Sequence, residues 1–146
     1  MQFSSIKAIV TGGVSGLGLA VARRFAQRGA ALALFDVNEQ NAQTAVAEVN
    51  AAGAAQARFY PVDVSDEAAV AAAVLQAADD LGGLNVAVNC AGILGTGRVL
   101  GKHGAMPLDR FKSTVMINLV GSFNVAKAAA ERMQHNEPNT DGERGV

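Results

Sequence analysis

The sequence predicts an α/β fold of three layers, in which helices cover both faces of a doubly wound parallel sheet. Short apolar runs rich in β-branched residues alternate along the chain with longer segments of helical period. This alternation is the pattern of parallel strands joined by right-handed crossovers. The runs are also apolar on both faces, as in "LNVAVN" at residues 84–89, and such runs are typical of strands buried between two layers of helices.

Four strands and four helices follow from this alternation. The predicted strands are 6–11, 31–36, 57–63 and 84–89. The predicted helices are 16–28, 39–52, a third from Ser65 to the glycine pair at 82–83, and a fourth from about Pro107 to Met133 with a break inside it. Long loops are predicted at 93–106, which is rich in glycine, and at 134–145, which is polar.

The helix signals are strongest at the first and third helices. A stripe of apolar residues at a four-residue spacing predicts the buried face of the first helix. This stripe consists of Leu17, Val21 and Phe25, with Ala22 and Ala26 beside it, and the predicted solvent face carries Arg23, Arg24 and Arg28. Ser65 is the predicted N-cap of the third helix, with Asp66 and Glu67 in its first turn.

Composition limits the class of protein. At 146 residues the chain is the length of one domain, 1–146. The net charge of −1 argues against nucleic-acid binding, and no apolar run reaches the roughly 20 residues of a membrane span. Cys90 is the only cysteine, so no internal disulfide and no cysteine metal site is expected. Without a signal peptide, the expected location is the cytoplasm.

The stretch "TGGVSGLG" leaves the first strand and enters the first helix. In a doubly wound sheet, ligands bind at the carboxyl ends of the strands, where the winding direction reverses. Gly12 permits a sharp turn, Gly16 leaves room for a phosphate at the helix N-terminus, and Gly18 lets the helix approach the sheet. Ser15 and Leu17 lie between these glycines and complete the predicted phosphate-binding turn. Because the spacing is not G-x-G-x-x-G, a purely structural turn is the alternative.

A carboxylate follows at the offset expected for a dinucleotide site. Asp36 ends the second predicted strand, 18 residues after Gly18, close to the offset of about 20 at which a carboxylate meets the adenosine ribose. Its charge disfavours a 2′-phosphate, and no lysine or arginine lies in the turn. The sequence therefore predicts NAD rather than NADP. The alternative is that Asp36 or Asn38 is only a helix cap.

The ends of the third and fourth predicted strands supply the remaining candidates. Asp63 and Val64 are expected near the adenine ring, where the carboxylate would accept from the amino group; alternatively, Asp63 is a loop residue before the third helix. The fourth strand ends in "NCAG", whose small residues let the backbone pass beside a sugar. These residues are Asn89, Cys90, Ala91 and Gly92. No histidine lies near Cys90 in sequence, so a small buried side chain is expected there rather than a nucleophile.

In this order, "TGGVSGLG", Asp36, "DV" at 63–64, "NCAG" and Asn118 in "INLVGSFNV" resemble the short-chain dehydrogenase/reductase family over most of the chain. The resemblance implies a Rossmann-type fold lacking its C-terminal strands, and reversible hydride transfer between NAD and a secondary alcohol or ketone. It also implies that Asn118 is a catalytic residue that anchors a water. The structural role is an amide inside a helix that binds a backbone carbonyl, and the two roles are compatible.

A narrower resemblance, to the type 2 3-hydroxyacyl-CoA dehydrogenase group, is carried by "VAVNCAGI" and by the two long loops. It implies an acyl-CoA, or another hydrophobic alcohol or ketone, as the small-molecule substrate. It further implies a homotetramer in which the long helix beginning near Asp109 packs against its mate.

The catalytic serine and the Tyr-x-x-x-Lys pair implied by the resemblance are not in this sequence. The one tyrosine, Tyr60, has Val64 four residues later. Four strands alone would leave residues 84–88 as an unpaired apolar edge. We therefore expect the catalytic half of the domain beyond Val146, as a C-terminal remainder, and expect this chain alone to be inactive. His103 and His135 are expected in solvated loops.

Two other functions stay open at this point. One is an NADPH-dependent 3-oxoacyl reductase, which Asp36 disfavours. The other is a non-catalytic NAD-binding module, which gains weight if the chain ends at Val146.

Overall fold

The computed structural model describes residues 5–102 and 104–146, so the prediction for His103 lies outside the described residues. Four parallel strands form the main sheet in the order β3-β2-β1-β4. They are β1 (Lys7–Thr11), β2 (Ala31–Asp36), β3 (Gln56–Pro61) and β4 (Val86–Val88). The winding direction therefore reverses between β1 and β4, as in one half of a Rossmann sheet. The predicted fold class is confirmed, although β3 and β4 end before the predicted residues.

Five α-helices connect and follow the strands. They are α1 (Gly16–Ala26), α2 (Ala42–Ala51), α3 (Glu67–Asp80), α4 (Leu108–Val115) and α5 (Ser122–Met133). A 3₁₀ turn, Glu39–Asn41, precedes α2, so the second predicted helix begins with a tighter turn. A π-helical segment, Met116–Gly121, joins α4 to α5, and this is the predicted break in the long helix. The long glycine-rich loop contains an unpredicted antiparallel pair, β5 (Leu100–Gly101) with β6 (Gly104–Ala105).

The sheet separates two hydrophobic cores. Successive residues of β2 alternate between them, with Ala33 and Phe35 in the core beneath α3 and α5. Leu32 and Leu34 belong to the core beneath α1 and α2. This alternation follows from the period of two along a strand, and it produces the three layers. Within the described residues, no helix is long and apolar enough to cross a membrane.

The predicted buried face of α1 is confirmed at Ala22 and Ala26 and is wrong at Leu17. Leu17 is 81% exposed, whereas Gly18, Ala22 and Ala26 are buried. The small residues form the buried stripe because α1 lies too close to the sheet for larger side chains. Arg23 does not simply face water, since it is half-buried and forms an ion pair with Glu48 of α2.

The N-cap of α3 is Asp66 rather than the predicted Ser65. An Asp66 carboxylate oxygen accepts the Ala69 N–H at 3.0 Å, which satisfies one of the unpaired amides of the first turn. Ser65 instead donates both its N–H and its hydroxyl to Asp63, at 2.9 Å and 2.7 Å.

Thr11 joins the end of β1 to the loop that follows β4. Its side chain is fully buried. Its Oγ1 accepts the N–H groups of Cys90 and Ala91 at 3.0 Å and 2.9 Å. One hydroxyl therefore fixes two successive amides of the loop, and holds that loop across the carboxyl end of β1.

The outer edge of β4 is partly paired. Val146 donates its N–H to the Asn85 carbonyl at 3.0 Å and accepts the Ala87 N–H at 2.8 Å, which is the bonding pattern of parallel strands. The polar loop before it is held by Asn136, whose amide donates to the carbonyls of Leu84 and Arg144 at 2.7 Å and 2.8 Å.

Tyr60 has a structural environment. It is buried, its ring lies 5.4 Å from that of Phe35, and its hydroxyl donates to Asp80 at 2.8 Å. Asp80 also pairs with Arg58 at 2.9 Å. Burial, then the Asp80 hydrogen bond and charge, raise the pKa of the Tyr60 phenol. Tyr60 thus anchors the edge strand β3 to the end of α3.

Replacing Tyr60 with phenylalanine should lower the free energy of unfolding by about 1 kcal/mol at pH 8, because the hydrogen bond to Asp80 is lost. The raised pKa means that the folded state favours the neutral phenol. The contribution of the hydroxyl is therefore complete below the ordinary pKa of about 10 and falls as pH rises above it. Urea unfolding of both proteins at pH 8 and pH 11 measures this. A Tyr60→Phe effect of the same size at both pH values would contradict the assignment.

Replacing Thr11 with valine keeps the shape of the side chain and leaves the N–H groups of Cys90 and Ala91 without their acceptor. The free energy of unfolding should fall by about 1–3 kcal/mol. Thr11→Ser retains the hydroxyl and serves as the matched control, with most of the stability recovered. Equal unfolding midpoints for the valine and serine variants would show that the hydroxyl does not hold the loop.

Candidate functional site

A cleft of about 430 Å³ lies at the carboxyl ends of the strands, where the winding direction reverses. Its walls are the turn after β1, the end of β2 and the loops after β3 and β4. Of the residues predicted from the sequence, those lining it are Gly12, Ser15, Gly16, Leu17, Gly18, Asp36, Asp63, Val64, Cys90, Ala91 and Gly92. A larger depression of about 840 Å³ lies at the opposite end of the sheet, beside Lys7 and Leu84. The smaller cleft is the candidate site, since open α/β sheets bind ligands at the carboxyl ends of their strands.

The glycines of the turn bring three backbone segments together. Gly12 has a φ of +63°, and a Cβ there would lie 3.0 Å from the Cys90 carbonyl oxygen. A Cβ at Gly18 would overlap the carbonyl group of Gly12, coming within 2.6 Å of its carbon. Gly12 and Gly18 therefore make the sharp turn and the close approach of α1 that the sequence predicted.

The N-terminus of α1 is open toward the cleft. Gly16 has a φ of +50°, and no atom lies within 4 Å of the position that a Cβ would occupy. Ser15 is the N-cap, its hydroxyl makes no capping bond, and the first turn of α1 carries no acidic residue. The amides of residues 16–18 have no acceptor within the helix. Backbone N–H groups and the positive end of the helix dipole thus favour an anion here.

Asp36 lies between two turns of the cleft wall. One carboxylate oxygen accepts the Asn38 N–H at 3.0 Å, and the other accepts the Val14 N–H at 3.4 Å. The cap of the following 3₁₀ turn is Asn38, whose side chain accepts the Asn41 N–H at 3.3 Å. The alternative that Asp36 is a helix cap is therefore wrong, whereas Asn38 does have that role.

The loop after β3 combines a charged and an apolar residue. Asp63 is exposed, and one of its oxygens is occupied by Ser65. Val64 is buried, its carbonyl accepts the Asn124 amide at 3.0 Å, and a Cβ at Gly121 would lie 2.5 Å from its Cγ2. Among the described residues that line the cleft, Asp63 and Asp36 are the charged ones. The part of the cleft beside these two carboxylates is therefore acidic.

Asn118 lies in the π-helical segment and binds the backbone of Ile93, which lines the cleft. Its Oδ1 accepts the Ile93 N–H at 2.9 Å, and its Nδ2 donates to the Ile93 carbonyl at 3.0 Å. Its own carbonyl accepts the Ser122 hydroxyl at 2.8 Å. The side chain thus binds the backbone, and the compatible catalytic role that the resemblance implies stays a prediction.

Asn89 is separated from the other predicted residues. It does not line the cleft, and its amide donates to the Ser122 carbonyl at 3.3 Å. Cys90 lines the cleft half-buried, and burial raises the pKa of its thiol. A raised pKa disfavours the thiolate, so this environment does not favour Cys90 as a nucleophile. In the described part of the chain, no group of three or more acidic, histidine or cysteine residues is arranged to hold a metal.

Several residues of the site were not predicted from the sequence, among them Thr11, Val14 and Ile93. Thr11 ties two of the cleft walls together, Val14 binds Asp36, and Ile93 lines the cleft under Asn118. Thr11 is the first residue of the motif "TGGVSGLG" and Ile93 directly follows "NCAG", and these positions were the available signal. The contact of Val14 with Asp36 joins residues far apart in sequence, and no local pattern indicates it.

Comparison with known proteins agrees with this geometry. The family profile described as short chain dehydrogenase matches residues 7–143. The 3-hydroxyacyl-CoA dehydrogenases type-2 of Bos taurus and Drosophila melanogaster are 40% and 41% identical over 141 and 140 residues. These alignments cover 95% and 94% of this chain but 52% and 53% of the relatives. The chain therefore spans about half the length of the curated relatives it matches.

Solved structures of dehydrogenases are also similar to this chain. The 3-hydroxyacyl-CoA dehydrogenase type-2 of Mycobacterium avium has a TM-score of 0.85 at 32% identity, covering 99% of this chain and 56% of that protein. A xylitol dehydrogenase bound to NAD⁺ has a TM-score of 0.75 at 31% identity, covering 91% of this chain and 50% of that protein. The chain belongs to the short-chain dehydrogenase family.

Proposed function

We propose that this chain forms the cofactor-binding part of an NAD-dependent dehydrogenase that oxidises a secondary alcohol or reduces the corresponding ketone. The observation that carries the proposal is the convergence, in one cleft, of the open N-terminus of α1 with the Asp36 carboxylate. An anion and a sugar hydroxyl are the groups that these two features bind. Dehydrogenases of this family bind nicotinamide cofactors, which contain both groups.

Different residues of the cleft would contact the different parts of the cofactor. The space beside Gly16 and the amides of residues 16–18 would hold the pyrophosphate. Asp36 would accept from the adenosine ribose, and Val64 would pack against the adenine ring beside Asp63. The small side chains of Ala91 and Gly92 leave room for the second sugar. When bound, the nicotinamide supplies the carbon that accepts or donates the hydride.

The charge of the cleft supports NAD over NADP. Its charged lining residues in the described part of the chain are Asp36 and Asp63, and no lysine or arginine lines it there. Two unit charges 4 Å apart interact by about 4 kcal/mol at the effective dielectric constant of a protein surface. Screening by solvent lowers this figure at a partly exposed carboxylate, so we expect a 2′-phosphate beside Asp36 to be opposed by at least about the 1.4 kcal/mol that corresponds to a tenfold change in affinity.

The substrate proposed is a 3-hydroxyacyl-CoA or a similar hydrophobic alcohol. Support comes from the similarity to two 3-hydroxyacyl-CoA dehydrogenases at about 40% identity. The described residues of the cleft include no tyrosine–lysine pair that could exchange a proton with the substrate oxygen, and Tyr60 is committed to Asp80. Proton transfer is therefore not assigned to any residue of this chain.

Binding and turnover by the full-length protein test the proposal. Calorimetry should give at least tenfold tighter binding of NADH than of NADPH, and NADH should be oxidised when acetoacetyl-CoA is added. Tighter binding of NADPH would overturn the choice of NAD and favour a 3-oxoacyl reductase. Binding of NADH without turnover of any 3-oxoacyl-CoA would favour a non-catalytic NAD-binding module.

We also propose that a second copy of the protein covers the outer face of the helix formed by α4, the π-helical segment and α5. No residue of α4 is buried. Large apolar side chains recur along the exposed face, namely Leu108, Phe111, Met116, Leu119 and Phe123. A continuous exposed apolar face of this kind marks an interaction site. A self-pairing helix face supports a homo-oligomer, and the proposed state is a tetramer.

Leu119→Glu places a charge at the middle of this face, where the side chain is 66% exposed. The folded protomer should tolerate the change. Sedimentation should show smaller species, with an association constant at least tenfold lower than that of the wild type. Leu75→Glu is the matched control, because Leu75 is 58% exposed on α3, and it should leave the size unchanged. An unaltered assembly in Leu119→Glu would place the interface elsewhere.

A further inference from the structure

The turn after β1 lies across the end of β2. The parallel register of the two strands ends with Thr11 opposite Phe35. Gly13 continues the ladder by donating its N–H to the Phe35 carbonyl at 3.2 Å. A Cβ at Gly13 would lie 3.0 Å from the Leu34 Cβ and 2.7 Å from the Val10 carbonyl oxygen. The turn is thus pressed against β2 before it reaches α1.

Val14 directly follows Gly13, and no described backbone hydrogen bond joins its N–H to β2. The carbonyl of Asp36 faces β3, where it accepts the Val62 N–H at 3.1 Å. The Val14 side chain is 3% exposed and belongs to the core beneath α1 and α2. Its N–H is directed to the Asp36 carboxylate, at 3.4 Å. The Asp36 side chain thus supplies the hydrogen-bond acceptor for this amide.

The carboxylate is also fixed on its other side. Its second oxygen accepts the Asn38 N–H at 3.0 Å, so Asp36 bridges the turn after β1 and the turn after β2. Loss of the carboxylate would leave a poorly solvated amide at Val14 without a partner, which costs free energy. The turn could then relax away from β2, and α1 begins directly after it.

We propose that Asp36 is a positioning residue for the glycine turn, acting through the Val14 amide, in addition to its contact with the adenosine ribose. This rests on the proposed function. Its consequence is that one side chain controls both the choice of dinucleotide and the geometry of the phosphate-binding turn. Replacing Asp36 should therefore weaken the binding of a ligand that has no adenosine ribose. A substitution of Asp36 alone, made to change the preference from NAD to NADP, should reduce the binding of both dinucleotides.

Reduced nicotinamide mononucleotide is the probe, because it carries one phosphate and the nicotinamide but no adenosine half. Its affinity for the full-length protein is measured for the wild type, Asp36→Ala and Asp36→Asn. Asn38→Ala is the matched control, since it alters the same turn and keeps the backbone N–H that Asp36 binds. Hydrogen exchange of the peptide containing Val14, without ligand, reports on the turn itself.

Asp36→Ala should weaken the mononucleotide at least fivefold and accelerate exchange at Val14 at least tenfold. Asp36→Asn retains one acceptor oxygen and should show a smaller change in both measurements, so it is decisive if the alanine variant does not fold. Asn38→Ala should stay within twofold of the wild type. If the wild type binds NADH and both Asp36 variants keep the wild-type mononucleotide affinity and Val14 exchange, the positioning role is overturned. A wild type that does not bind NADH overturns the proposed function instead.

Discussion

The candidate site depends on the close approach of α1 to the turn that precedes it. A Cβ at Gly18 would overlap the carbonyl group of Gly12, so the helix can begin there only if this position has no side chain. The approach turns the free amides of the first helical turn toward the carboxyl end of β1. It also explains why the buried face of α1 consists of Gly18, Ala22 and Ala26, since larger residues would push the helix away from the sheet.

The opposite wall of the cleft depends on the long helix. Gly121 of the π-helical segment packs against Val64, and the buried Asn124 binds the Val64 carbonyl. Asn118 of the same segment binds both backbone groups of Ile93. One helix therefore fixes the loops after β3 and β4 together. The wider π-helical turn occurs at this contact, in keeping with the frequent position of such turns at functional sites. The outer face of the same helix is the surface proposed to meet a second copy.

The parts of the fold that sequence predicted well are those decided by local chemistry. The glycine spacing placed the turn, and the apolar runs placed the strands, because backbone conformation and strand burial depend on neighbouring residues. One error arose where packing between distant elements decides, and another arose from a local side-chain contact. Leu17 has the period of a buried residue but is displaced from the core by the contact at Gly18. The N-cap is Asp66 rather than the predicted Ser65, because the Ser65 hydroxyl donates a hydrogen bond to Asp63.

The site shows the same division. Gly12, Gly16 and Asp36 were recognisable because their spacing along the chain reflects a shared edge of the sheet. The Val14 contact with Asp36 and the Ile93 contact with Asn118 join segments brought together only by the fold, so no sequence pattern carries them. Asn89 was grouped with its neighbours by motif, yet alternation along the backbone directs its side chain to α5.

We expect the cleft between the turn after β1 and the end of β2 to bind a dinucleotide. A crystal structure of the full-length protein with NADH would show this. The pyrophosphate should lie against the amides of residues 16–18, and the adenosine ribose should lie within hydrogen-bond distance of the Asp36 carboxylate. A dinucleotide bound elsewhere, or a saturating soak that leaves this cleft empty, would contradict it.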